Sequence, residues 1–190
     1  MAVTRLTTNG LTGTKYDIAS ADNYYMEPIA TTLVGSGGVS SVTFSNIPNT
    51  YKHLQIRSIN RSNALCFGLV TFNSDTTNAN YVTHYLLGEG SSATSGGYIQ
   101  SHSGILYGGA QGFGQSPNIS GQVFDILDYA STTKNKTVRV LNGLDKNGTG
   151  TIEFLSGVWL NSGAINRVTL STNTSVFSEH SRFSLYGIKG

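Results

Sequence analysis

The chain has 190 residues, a single cysteine, a formal net charge of +2 and a charged fraction of 12%, about half the ~25% of an ordinary soluble domain. That length suits one domain burying roughly 70% of its unfolded surface, and no intramolecular disulfide assists it, because a bridge needs two cysteines. The basic residues are scattered, with no run longer than Lys134-Asn135-Lys136, which argues against strong nucleic-acid binding; no apolar stretch approaches the ~18 residues of a membrane helix.

The start, Met1-Ala2-Val3-Thr4-Arg5-Leu6-Thr7-Thr8-Asn9-Gly10, has no apolar core segment, so a secretory signal is not expected. Residues 1–35 set Tyr16, Tyr24, Tyr25, Met26 and Ile29 among polar residues without sustained alternation, and read as an extended N-terminal arm. Aromatics exposed on such a segment are costly unless they dock, so the arm either folds back on its own domain or reaches a neighbour. Those five residues are the candidate partner contacts.

Residues 36–190 read as one β domain. Apolar positions alternate in Val42/Phe44, Leu54/Ile56, Val138/Val140, Val168/Leu170 and Phe183/Leu185, with polar residues between them, and period two means one buried and one wet face. Turn signals such as Ser36-Gly37-Gly38, Asn73-Ser74-Asp75, Gly88-Glu89-Gly90, Asn147-Gly148 and Asn161-Ser162-Gly163 separate them. About eight to ten short strands without crossover helices predict an all-β, antiparallel β-sandwich, with jelly-roll and Greek-key topologies both open. Cys66, in Ala64-Leu65-Cys66-Phe67, is expected to be a small buried hydrophobe, and Trp159 and the Phe124/Tyr129 segment are expected in the core.

The residues suggest no chemistry centre. His53, His84, His102 and His180 fall on four separate elements and form no metal-ligand spacing. Asp125 and Asp128 point to opposite faces of a strand unless a bulge or turn intervenes. Asp145-Lys146-Asn147-Gly148-Thr149-Gly150-Thr151-Ile152 imitates the first positions of a calcium loop, but Ser156 stands where a bidentate Glu is required; a tight β-turn explains the same letters. Neither catalytic residues nor a cofactor, metal or small-molecule substrate is expected, and the chain reads as no enzyme. Carbohydrate binding is the alternative binding role, resting on Tyr98, Tyr107 and Phe113 in the glycine-rich stretch 96–114, with only Gln100, Gln111 and Gln115 as polar partners.

Five stretches carry a resemblance: the start already quoted, Tyr51-Lys52-His53-Leu54-Gln55-Ile56-Arg57, Tyr85-Leu86-Leu87-Gly88-Glu89-Gly90, Phe124-Asp125-Ile126-Leu127-Asp128-Tyr129 and Ser184-Leu185-Tyr186-Gly187-Ile188-Lys189-Gly190. In these the chain resembles small virion proteins of tailed phages of the cyanophage and marine-phage type. The resemblance implies a virion structural protein, and among those a capsid decoration (cement) protein on the outer capsid surface, assembled in the host cytoplasm. Its implied partners are the major capsid protein and copies of itself in a homotrimer. A tail, neck or fibre component is the alternative, and a carbohydrate-binding sandwich for host attachment the third.

Overall fold

The computed structural model describes residues 25–108 and 117–190. Eight strands form one sheet in the order β1 (Met26–Leu33), β12 (Arg182–Ile188), β3 (His53–Asn60), β8 (Ser120–Leu127), β9 (Lys136–Asp145), β10 (Gly150–Trp159), β5 (Tyr81–Glu89) and β6 (Ser92–Ile99). Four form a second: β2 (Ser41–Phe44), β11 (Val168–Thr172), β4 (Gly68–Phe72) and β7 (Ile105–Tyr107). Every pairing between these strands is antiparallel, so the chain is an all-β sandwich, as its alternation predicts. A single helical turn, Asn78–Asn80, interrupts the strands among the described residues.

Alternation decides which face turns inward. β9 and β10 switch between buried and exposed residues along nearly their whole length, sending Val138, Val140 and Leu155 inward beside Ile56, Phe124 and Leu185. The small sheet answers with Val70, Phe72, Val168 and Leu170. Gly157 sets the approach of the two sheets: a Cβ there would run into the Ile105 side chain, so the missing side chain on β10 is what seats β7. Phe124 and Tyr107 meet edge to face at 4.8 Å, a favourable aromatic geometry. Trp159, Phe124 and Tyr129 are all core residues, and Cys66 is buried, with burial pushing its thiol pKa up.

Of the arm expected over residues 1–35, the described part lies against its own domain, one of the two placements open to it. Residues Met26–Leu33 are a full edge strand, running from Met26 opposite Ile188 to Leu33 opposite Arg182, with a bulge between Pro28 and Ala30. An edge strand needs hydrogen bonds on one side alone, so it tolerates a proline and requires no clean alternation; that is why the letters gave no strand signal. Two side-chain links fasten it: Thr31 shares a hydroxyl hydrogen bond with Ser184 at 2.9 Å, and Glu27 takes a hydrogen bond from the Tyr51 hydroxyl at 2.9 Å and an ion pair from Lys189 at 2.6 Å. Behind that contact the Tyr51 ring occupies the space a side chain at Gly187 would need. The Tyr51 amide donates to the Tyr129 hydroxyl at 3.3 Å, and that hydroxyl donates to the Pro48 carbonyl.

Candidate functional site

The outward face of the large sheet carries side chains that a free surface rarely groups together. Register places Leu86, Phe154, Leu141 and Val123 side by side across β5, β10, β9 and β8, forming an apolar ridge. Two residues further along the same strands run Gly88, Ile152, Gly143 and Gly121, a trough of glycines interrupted by one isoleucine. Ile152 is 60% exposed and Phe154 49%, and a Cβ on Gly121 or Gly143 would meet nothing within 4 Å. Scattered apolar side chains are normal on a surface; here they form a contiguous row across four strands. Beyond the ridge lie Arg139 and Asp125, paired across strands at 3.4 Å, and Gln55, which donates to Asp125 at 2.9 Å.

The inward face of the same sheet changes character within one row. Next to the apolar core, register aligns Ser58, Gln122, Asn142 and Glu153 across β3, β8, β9 and β10, and all four are buried. Such groups are tolerated inside only when hydrogen-bonded. Ser58 and Asn60 both donate to the Gln122 side-chain oxygen, at 2.7 and 2.6 Å, and Asn142 donates to Glu153 at 3.2 Å. Among the described residues the Gln122 side-chain nitrogen has no hydrogen-bond partner. At the sheet's β5–β6 end Tyr85 and Tyr98 stack at 5.7 Å, and His102 stands edge-on to Tyr98 at 5.0 Å and to Phe67 at 5.4 Å. Burial, chiefly, and then the neighbouring Tyr85 and the Glu153 charge raise the Tyr98 pKa. The partly exposed Tyr98 ring is thus held between Tyr85 and His102, an aromatic group assembled from β5, β6 and the segment after β6.

Of the candidate contacts, Tyr16 and Tyr24 lie outside the described residues. Tyr25 is 83% exposed just ahead of β1, while Met26 and Ile29 are half-buried within that strand, so these three border the β1 edge rather than a free arm. Tyr107 is fully buried and belongs to the core rather than to a sugar platform; Phe113, Gln111 and Gln115 lie outside the described residues. Asp125 and Asp128 form no dyad: Asp128 sits past the strand at φ 47° and is bridged by Lys52 at 3.2 Å and Lys134 at 3.0 Å. The calcium-like letters form the β9–β10 turn. Asn147 and Gly148 both have positive φ there, and the Asp145 carboxylate accepts the Asn147 amide at 2.7 Å. The described residues hold no cluster of three or more His, Cys, Asp or Glu side chains able to take a metal, and no helix among them is long and apolar enough to cross a membrane.

The architecture and these two faces define a two-sheet, all-β sandwich with a mixed surface of apolar and amide groups. No family model and no curated protein matches the chain. Among solved structures it is similar to a mutant of the alginate lyase Aly36B in complex with alginate tetrasaccharide, at 10% identity and a TM-score of 0.28, over 87% of this chain and 98% of that one. At that identity and score the likeness carries no activity to this chain, and the expectation that the chain is no enzyme is withdrawn.

Proposed function

We propose that this protein is a structural component of a tailed-phage virion, a decoration protein that binds the assembled capsid and copies of itself. The observation that carries the reading is the apolar ridge Leu86–Phe154–Leu141–Val123 on a chain with few ionised side chains. Sparse charge and a contiguous apolar row are the composition of the buried centre of a protein interface. A protein that binds the closed lattice and not its free subunits stabilises that lattice by mass action, by RT ln(1 + [L]/Kd) for each occupied site. Co-sedimentation with DNA-filled heads tests the reading: binding to intact heads is expected, and protein left in the supernatant at every concentration overturns it. Electron cryo-microscopy of the parent particle separates a lattice of copies over the head from a few copies at one vertex, the pattern of a tail, neck or fibre component.

One observation favours a second reading, glycan attachment. Tyr98 offers a partly exposed ring stacked on Tyr85, with Glu153 close enough to shift its pKa. A glycan array with wild type and Tyr98→Ala tests it: binding lost in the variant supports the site, and no binding by either protein removes it.

A further inference from the structure

We infer that the outer face of the large sheet is covered by a second copy of this chain, packed face to face about a two-fold axis that lies across the strands. The inference rests on the assembly reading above for its premise that this face is covered, and adds which surface covers it.

Ridge and trough occupy the same strands two residues apart, on either side of one inward row: Leu87 in β5, Glu153 in β10, Asn142 in β9 and Gln122 in β8. A two-fold axis in the interface plane above that row exchanges the two outer rows. Leu86 then faces the second copy's Gly88, Leu141 faces its Gly143 and Val123 faces its Gly121, while Phe154 lies against Ile152. Three of the four projecting side chains thus meet a position without a side chain; among the described residues the space over Gly121 and Gly143 is open, while that over Gly88 is bordered by Ile152, 3.2 Å from where a Cβ would stand. An isologous contact demands this kind of self-complementarity.

Charge agrees. The same operation brings Arg139 of one copy to Asp145 of the other, twice in each pair. Within one copy these residues are six positions apart on a single strand, about 20 Å at the ~3.4 Å rise of an antiparallel strand, and cannot meet. Area agrees as well. The four strands that carry ridge and trough, at ~4.8 Å, by four outward rows at ~6.8 Å cover about 520 Å² per copy, and the flanking β3 and β6 bring this to about 780 Å², against about 800 Å² per partner in a stable interface of standard size. Sheets stacked in this aligned way pack about 10 Å apart at about −30°.

Sedimentation equilibrium of the full chain tests the inference. Wild type is expected to reach twice the 20.2 kDa chain mass. Gly143→Phe fills the trough from a position whose Cβ meets nothing within 4 Å among the described residues, and is expected to dissociate at least tenfold more readily while melting no lower than wild type. Arg139→Asp and Asp145→Arg are each expected to weaken the pair, and the double variant to recover much of the loss, although Asp125 stands beside position 139 in the single and the double alike. A wild-type monomer, a trimer, a Gly143→Phe dimer as tight as wild type, or a double variant no better than the sum of the singles overturns it. Heads that bind a monomeric wild type would sink this inference and leave the virion reading standing; a dimer that ignores heads would do the reverse.

Discussion

Asp75 gathers three donors from its own loop and from the end of β10, and replacing it with Ala is expected to give a measurable loss. Its Oδ2 accepts the Trp159 indole N–H at 2.8 Å and the Asn80 amide at 2.7 Å, and its Oδ1 accepts the Thr77 N–H at 2.9 Å. Trp159 is 1% exposed, so Asp75→Ala leaves a buried donor without an acceptor, a cost of about 1–3 kcal/mol. Asn80 and Thr77 turn to water at smaller cost, for a total near 3 kcal/mol. In a domain of this size each kcal/mol moves Tm by about 2–4 °C, so the variant is expected to melt about 6–12 °C lower. Trp159 is the sole tryptophan, which makes intrinsic fluorescence a direct assay of the site. Acid supplies the control. Burial alone raises the Asp75 pKa, but hydrogen bonds from Trp159, Thr77 and Asn80 outweigh it and hold the carboxyl below its ordinary 3.8. A depressed folded-state pKa gives stabilisation that is full above the unfolded value and lost as pH falls through the folded one, so the gap between wild type and Asp75→Ala narrows in strong acid. A variant melting within about 1 °C of wild type at neutral pH, on that scale a loss of under ~0.5 kcal/mol, would refute the reasoning.

Gly157→Ala drives a methyl into Ile105 and is expected to cost about 2–3 kcal/mol, read as a lower urea midpoint at unchanged slope. Tyr129→Phe removes the hydroxyl that joins Tyr51 to Pro48 and is expected to cost about 1–2 kcal/mol in the same measurement. The Lys189 contact first, then the Tyr51 hydroxyl, hold the Glu27 carboxyl below its ordinary 4.5. Its contribution is therefore present above 4.5 and lost on acidification through the folded value, and hydrogen exchange is expected to show the amides of β1 losing protection before those of β9.

Period two was enough to find the long central strands. β3, β9 and β12 lie where Leu54/Ile56, Val138/Val140 and Phe183/Leu185 alternate, because each has the core on one side and solvent on the other. β1 and β6 escaped the pattern for a physical reason: both lie at sheet edges, where neither side chains nor both rows of backbone groups need to be buried. Cys66, Trp159 and the β9–β10 turn were legible from local letters. The apolar ridge was not, since it joins Leu86 to Val123 across four strands and exists only once register is set. The stacked pair Tyr85 and Tyr98 was hidden in the same way, since it joins β5 to β6.

The provenance of the small sheet constrains how the molecule acquires its shape. Its four strands come from residues 41–44, 68–72, 105–107 and 168–172, and the large sheet closes by joining β1 to β12. Residues up to 172 must therefore be in place before the small layer is complete, and up to 188 before the large one. Non-local pairings of this kind require loop closure before any contact rewards it, which slows folding. Until those pairings form, the ridge strands are uncovered, and unpaired apolar strands are the surfaces through which folding chains aggregate.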